Sequence, residues 1–393
     1  MPLREHHRAS AEALGRAAAE TTAADRPGAA SGALAGGEPE YVQWGDGATD
    51  HPDFILATIG SVELEYAALR RGVGLIDAAH REVIEVRGAD AKDLIGRLVT
   101  QKIAGKAPMQ TCDAFLLERT GRILADLTVL VDEDGVMVSV DRCDCSAVVE
   151  AIESMVFTED VRVEPPGLWA TIDAHGPEVP ELLEAAGVDV PDEGAAAKAM
   201  VADAACVLLR DDRFGETGVR VLAPRSDVLG VWQALHASAA GVCRTVGWYA
   251  TNMARLEAAE PWWHIDFGPT NLPHETGLLH RRVSFTKGCY PGQEVVARME
   301  HLGHPKQIVR ALAMPDERLP IAGGQVFAAG CDGPGDPVGV VTSSAPSPLR
   351  GGNATALATL RWSAADIGAA VSVSAEGAFV DVEVSEASRS MRS

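Results

Sequence analysis

The most suggestive chemical feature of this sequence is one cysteine set among charged residues and turn-forming glycines. Cys289 lies in TKGCYPGQEVVAR, residues 286–298, two positions after Lys287. A nearby cation favours the thiolate, so such a cysteine could act as a nucleophile or as a soft ligand. Gly288 and Gly292 permit positive φ, and a proline between them stiffens the turn, which would present the thiol to solvent. The alternative is that Cys289 is only a small residue tolerated in a tight bend.

Other groupings of cysteine, histidine and carboxylate give weaker indications of a metal site. A C-x-C pair lies at residues 143–145, and an H-x-x-H pair follows a glutamate at residues 300–304. A bound iron–sulfur cluster requires a full set of cysteine ligands, and Cys289 has no cysteine neighbour in sequence. We therefore expect a strand end at the first pair, a loop or the rim of a ligand pocket at the second, and no bound metal.

The composition is typical of an acidic globular protein. The 393 residues are 47% hydrophobic and 23% charged, with a net charge of −22. Such a charge disfavours direct binding to nucleic acid, because attraction to phosphate backbones depends on clustered Lys and Arg. The seven cysteines are scattered, and we find neither a secretory signal nor an apolar run of membrane-spanning length. These features predict a cytoplasmic protein without a membrane segment.

Strand and helix patterns indicate how the motif would be positioned. Residues 1–40 resemble a flexible Ala/Gly-rich leader, and strands and helices then alternate in two rounds, residues 41–160 and 161–300. Within the first round, the apolar residues between Val62 and Val73 predict a helix that ends at Gly72. The second round ends in the motif. From 307 to 386, short β-like runs separated by Gly, Pro, Asp and Ser are typical of a small barrel. We predict an α+β fold with a duplicated α+β region and a C-terminal β-barrel.

The run RVSFTKGCYPGQEVVAR, together with RLEAAEP at 255–261 and LPHETGL at 272–278, resembles the YgfZ branch of the YgfZ/GcvT family. The K-G-C-Y-x-G-Q-E signature carries this resemblance, and weaker similarity covers residues 55–385. Members of the family are folate-binding proteins related to the aminomethyltransferase, or T-protein, of the glycine cleavage system. The resemblance implies a ring-like fold with a folate pocket formed by the duplicated region.

Folate chemistry is also implied for particular residues by the resemblance. Asp126 matches the second of two adjacent carboxylates that T-proteins place near the reacting nitrogen of tetrahydrofolate, whereas Ala125 replaces the first. Arg220, which can only donate hydrogen bonds, stands where T-proteins have a glutamate that accepts them from the pterin ring. Thr251 stands where they have an arginine ligand.

Tetrahydrofolate or a folate derivative is therefore the implied cofactor. Glu216 or Glu257 could supply the missing acceptor by another geometry. The candidate residues for binding the folate are Asp126, Glu216, Arg220, Arg255, Glu257, Tyr290 and Gln293.

Two functions are compatible with this pattern. The motif implies a folate-binding accessory protein for iron–sulfur cluster assembly or repair, including that of tRNA-modifying enzymes, with iron–sulfur client or assembly proteins as partners. The alternative is a tetrahydrofolate-dependent aminomethyltransferase or other one-carbon transferase. Cys289 and Lys287 are the candidate catalytic residues for the first function, and Asp126 for the second. The departures at Arg220 and Thr251 favour the first.

Overall fold

The computed structural model describes residues 3–9, 38–44, 53–239, 241–330 and 335–387. Most of the predicted leader and Cys331 lie outside the described residues. The chain divides into two compact units that alternate along the sequence. The first comprises Met1–Val83, Pro165–Asp212 and Glu216–Thr251, and the second comprises Ile84–Glu164, Arg213–Gly215 and Asn252–Ser393.

The first unit is built on a six-stranded sheet. In spatial order its strands are β10 (Ala196–Val201), β11 (Ala204–Arg210), β12 (Gly218–Pro224), β9 (Trp169–His175), β3 (Val73–Asp77) and β13 (Cys243–Thr245). Helices Val179–Ala185 and Val228–Ser238 bury Leu182 and Trp232 against the apolar side chains of this sheet. The burial of one apolar face on each helix accounts for most of the stability of such a layer.

Two further strands and two further helices belong to this part of the chain. The antiparallel pair β1 (Glu40–Trp44) and β2 (Asp53–Thr58) precedes the helix Val62–Arg71, and the helix Trp248–Glu257 carries the chain from the first unit into the second. The backbone N–H of Gly72 closes the end of helix Val62–Arg71, where the sequence predicted that it would stop.

The second unit contains a five-stranded sheet whose two faces differ. In spatial order its strands are β5 (Thr111–Leu117), β6 (Ile123–Val131), β7 (Gly135–Asp141), β4 (Arg81–Arg87) and β8 (Arg162–Val163). One face is apolar and packs against helices Ala91–Leu98 and Cys145–Glu153. On the first two strands the other face alternates polar and aromatic residues, so that the pair Asp113–Thr128 neighbours the pair Phe115–Asp126. The carboxylates are thus presented on the side opposite the helices.

A closed six-stranded barrel ends the second unit. Its strands, in spatial order, are β14 (Gln307–Ala313), β17 (Ala354–Arg361), β16 (Gly339–Pro346), β15 (Gln325–Ala328), β18 (Ala370–Ala375) and β19 (Ala378–Ser385). Inward-facing Val, Leu and Ala from alternate positions fill its interior. The predicted α+β class with a C-terminal β-barrel is confirmed.

Short helices make up the rest of the second unit between sheet and barrel. They are Pro273–Glu275, Leu279–Arg282 and Gln293–Leu302, and further single turns lie at Arg142–Asp144, Pro348–Arg350 and Trp362–Ala364. His301 lies in the helix Gln293–Leu302, so the loop expected for residues 300–304 is wrong at this position and holds only from Gly303 onward. Among the described residues, no helix combines the length and the apolar character needed to cross a bilayer.

Candidate functional site

The cysteine motif is a loop that leads into the helix Gln293–Leu302. Gly292 precedes this helix with φ +77° and ψ 0°, a left-handed conformation that favours glycine. A Cβ atom on Gly292 would lie 2.5 Å from the carbonyl oxygen of Glu118 and 2.8 Å from the Cα of Gly121. The motif therefore fits closely against the turn between β5 and β6, and only glycine permits this approach.

Lys287 anchors the beginning of the loop. Its ammonium group donates to the carbonyl oxygen of Gly96 at 2.7 Å and also to that of Val99, both at the C-terminal end of helix Ala91–Leu98. The same ammonium lies 4.8 Å from the ring centroid of Tyr290. Burial lowers the pKa of Lys287 to about 8. Carbonyl groups at a helix C-terminus attract a cation, so this geometry gives Lys287 a positioning role.

Tyr290 anchors the loop on the other side of the cysteine. Its side chain is buried in an apolar cluster with Phe115, Ile123, Trp263 and Val296, among others, and burial raises its pKa to about 12. Cys289, between these two anchored residues, is exposed. The loop thus presents the thiol to solvent between two anchored side chains, as the turn-forming residues of the sequence predicted.

Asp126 belongs to a charged cluster that the sequence analysis did not predict. The guanidinium of Arg282 donates through Nε to Asp126 Oδ1 at 2.8 Å and through a second nitrogen to Oδ2 at 3.3 Å, and it also donates to Asp113 Oδ2 at 2.6 Å. Thr128 donates to the other oxygen of Asp113 at 2.8 Å. Burial by itself lowers the pKa of Arg282, but the two carboxylates together raise this pKa above its ordinary value.

This arrangement fixes Asp126 as an ionised, oriented carboxylate. Its side chain is 15% exposed, compared with 9% for Arg282. A two-point contact between guanidinium and carboxylate restrains both groups and is stronger than a neutral hydrogen bond. Arg282 is separated from Asp126 by 156 positions, so sequence spacing gave no signal for the pair.

Arg220 is held by carboxylates of the first unit. It lies opposite Asp173 in the β9–β12 register, and its Nε donates to Asp173 Oδ1 at 2.9 Å. A terminal nitrogen lies 3.2 Å from Asp211 Oδ2. Only 2% of the Arg220 side chain is exposed. In this sheet Arg220 therefore balances two negative charges.

The other candidate residues have structural contacts of their own. Arg255, fully buried, donates to Asp266 Oδ2 at 2.7 Å, and Glu257 accepts from the hydroxyl of Ser347 at 2.6 Å. Glu216 lies 3.9 Å from a terminal nitrogen of Arg70 and is 34% exposed.

Gln293 and Thr251 both lie in helices. Gln293 is the first residue of the motif helix. Thr251 donates its hydroxyl to the carbonyl oxygen of Gly247, the residue just before its helix, at 2.9 Å.

Comparison with known proteins places this chain in a family. The model of the GCVT N-terminal domain matches residues 52–287, more than half of the chain and up to two residues before Cys289. The chain belongs to the GCVT N-terminal domain family. The predicted relation to GcvT proteins is confirmed, whereas the assignment to the YgfZ branch stays a prediction.

Several curated relatives share the same name. The aminomethyltransferase of Streptomyces coelicolor is 28% identical over 302 residues, which cover 74% of this chain and 79% of that protein. The aminomethyltransferase of Geobacillus thermodenitrificans is 26% identical over 331 residues, covering 81% and 87%. The crystal structure of the glycine cleavage system aminomethyltransferase T from Bartonella henselae superposes with a TM-score of 0.77 at 20% identity, covering 88% of this chain and 93% of that one, which establishes the common fold.

Proposed function

We propose that this protein binds a tetrahydrofolate-type ligand in the cytoplasm and transfers a one-carbon unit, the activity that the name aminomethyltransferase indicates for its relatives. The observation that carries the proposal is Asp126, a partly exposed carboxylate that Arg282 keeps ionised and oriented. When an amine of the folate forms a bond to a one-carbon unit, positive charge develops on its nitrogen. A fixed carboxylate beside that nitrogen would stabilise this charge without having to reorient.

The binding mode of the pterin would differ from the one expected of T-proteins. Arg220 is already paired with Asp173 and Asp211 and has no acceptor atom, so the N–H groups of a pterin edge would need acceptors from other residues. Of the two acceptors predicted from the sequence, Glu257 already accepts from Ser347 and from a backbone N–H, and Glu216 is one-third exposed.

A matched pair of variants separates chemistry from structure. Asp126→Asn and Asp113→Asn each weaken one arm of the same Arg282 contact, but only the first removes the proposed catalytic carboxylate. Folate binding would be measured by calorimetry and transfer by the rate of aminomethyl-dependent methylenetetrahydrofolate formation. We expect Asp126→Asn to lower kcat by about 100-fold or more and Asp113→Asn by less than about 10-fold.

Two outcomes would contradict the proposal. Equal losses in the two variants would mean that Asp126 only supports the fold. A wild-type protein that binds neither tetrahydrofolate nor folinate would exclude a folate-dependent transferase altogether.

The exposed thiol favours a second candidate function. Lys287 and Tyr290 anchor the loop so that Cys289 is exposed to solvent, and a transfer reaction that depends on Asp126 does not use this thiol. An accessory role in iron–sulfur cluster assembly or repair would use this thiol. In cells lacking the protein, complementation with Cys289→Ser would then fail to restore a tRNA-modifying iron–sulfur enzyme, whereas Cys112→Ser would restore it. Full complementation by Cys289→Ser would exclude this role.

A further inference from the structure

Three side chains with metal-binding atoms meet in the second unit, away from the cysteine motif in sequence. Cys143 and Asp144 lie in the single helical turn after β7, and His264 lies in the turn that follows Trp263. The Nε2 atom of His264 is 3.3 Å from Cys143 Sγ and 2.9 Å from Asp144 Oδ2. All three candidate ligand atoms lie within 4.8 Å of one another.

The directions of these contacts distinguish two kinds of site. In a nucleophilic relay, one ring nitrogen faces the thiol and the other faces the carboxylate. Here the same nitrogen, Nε2 of His264, faces both Cys143 and Asp144. The thiol and the carboxylate therefore both lie beside one imidazole nitrogen, which favours shared ligation of a cation over a relay.

The distances approach those between ligands of a small tetrahedral cation. Zinc bonds of about 2.0–2.1 Å to nitrogen, 2.3 Å to sulfur and 2.0–2.2 Å to oxygen place the ligand atoms roughly 3.3–3.6 Å apart. The observed separations from His264 Nε2, 3.3 Å to sulfur and 2.9 Å to oxygen, are shorter by only a few tenths of an ångström. Small rotations of the side chains would open the cluster enough to admit the ion.

Two independent features hold this cluster in place. The indole N–H of Trp263 donates to Asp144 Oδ2 at 2.6 Å, and its ring is buried in the apolar cluster that also contains Tyr290. His264 has φ +65°, an uncommon conformation for a residue with a Cβ atom, and its N–H donates to Phe267 O at 2.8 Å. Backbone strain of roughly 1–3 kcal/mol persists where the surroundings fix it, and such residues cluster at functional sites.

We propose that Cys143, Asp144 and His264 bind one divalent transition-metal ion of the zinc type, a site that goes beyond the proposed transferase function. A thiolate, an imidazole and a carboxylate together suit zinc or cobalt(II) and disfavour magnesium and calcium. Binding converts the Cys143 thiol to a thiolate and releases its proton to solvent, while His264 binds through a neutral Nε2. Three protein ligands leave a fourth position for water or a ligand atom from a small molecule. The side chains of His264 and Asp144 are 11% and 13% exposed, so solvent can reach the site.

Cobalt(II) provides a direct test on the full-length protein. The protein is first treated with a chelator and then titrated with Co²⁺, and the near-ultraviolet thiolate-to-cobalt band and the visible d–d bands are recorded. We expect one ion per chain, intense tetrahedral d–d bands, and displacement of cobalt by Zn²⁺. Cys143→Ser should remove the charge-transfer band, whereas the controls Cys112→Ser and Cys289→Ser should keep it.

Two more variants keep the test decisive if Cys143→Ser folds poorly. His264→Asn introduces a residue that tolerates positive φ and can still contact Asp144, so it should fold and lose the metal. Trp263→Phe should weaken Zn²⁺ binding by about 10–100-fold, the usual effect of removing a hydrogen-bond partner of a ligand. Failure of the wild type to bind Co²⁺, or a thiolate band that survives Cys143→Ser or disappears in Cys289→Ser, would overturn the proposal.

Discussion

Replacement of Arg220 by glutamate would restore the acceptor that T-proteins place at this position, but the structure predicts that it destabilises the first unit. The new carboxylate would face Asp173 and Asp211, whose side chains are 7% and 13% exposed. Loss of one partner from a buried ion pair costs about 3–5 kcal/mol. The added repulsion among the carboxylates cannot exceed about 4 kcal/mol, because protonation of one carboxyl at pH 7 costs about that much and removes its charge. We therefore expect the variant to lose between about 3 and 9 kcal/mol of unfolding free energy.

Urea unfolding at pH 7 would measure this loss, with Arg244→Glu as the control. Arg244 lies exposed on β13, so the same change of charge there should shift the unfolding free energy by less than about 0.5 kcal/mol. Protonation relieves the repulsion among the three carboxyls, so the deficit of Arg220→Glu should shrink as the pH falls from 7 toward 5. An Arg220→Glu protein as stable as the wild type, with tighter folate binding, would refute the assignment of Arg220 as a charge-balancing residue.

Three further changes test the contacts around the motif and the barrel. Gly292→Ala should cost about 2 kcal/mol or more, because its Cβ meets backbone at φ +77°, while Gly288→Ala, with no atom within 4 Å of its Cβ, should be tolerated in thermal unfolding. Lys287 should titrate near pH 8 by NMR of labelled lysine. Because the unfolded chain then binds more protons between pH 8 and 10.5, wild-type stability should rise with pH in that window relative to Lys287→Met, and a midpoint near 10.5 would contradict the burial of the ammonium group. Asp266→Asn breaks a fully buried ion pair and should cost about 3–5 kcal/mol in urea, whereas Asp316→Asn, in an exposed pair, should leave the urea midpoint almost unchanged.

The features predicted correctly from sequence are those encoded locally. Short apolar runs separated by turn residues identified the barrel strands from β14 to β19, and Gly72 marked the end of the helix Val62–Arg71. The motif's glycines likewise predicted a bend that exposes Cys289. In each case the determining interactions lie within a few residues, which is the range over which a pattern in one sequence is informative.

The interactions that were missed join distant segments. Arg282 reaches Asp126 across 156 positions, and His264 reaches Cys143 across 121. The C-x-C pair at residues 143–145 predicted a strand end, which agrees with the end of β7 at Asp141, but its partner histidine could not be found by spacing. Only the register of the sheet and the path of the following loops bring these groups together.

The apolar cluster of the second unit explains how one small region can hold several chemically distinct groups. Phe115 pairs with Asp126 across the β5–β6 ladder, Tyr290 follows Cys289, and Trp263 precedes His264. Each candidate group is thus fixed by a buried aromatic neighbour and not by its own contacts alone. It follows that Tyr290→Ala, which removes a buried aromatic ring at a cost of about 3–5 kcal/mol, should disturb all three groups together. Substitution of the exposed Cys289 thiol should leave the other two intact, so Cys289→Ser should retain both transfer and metal binding.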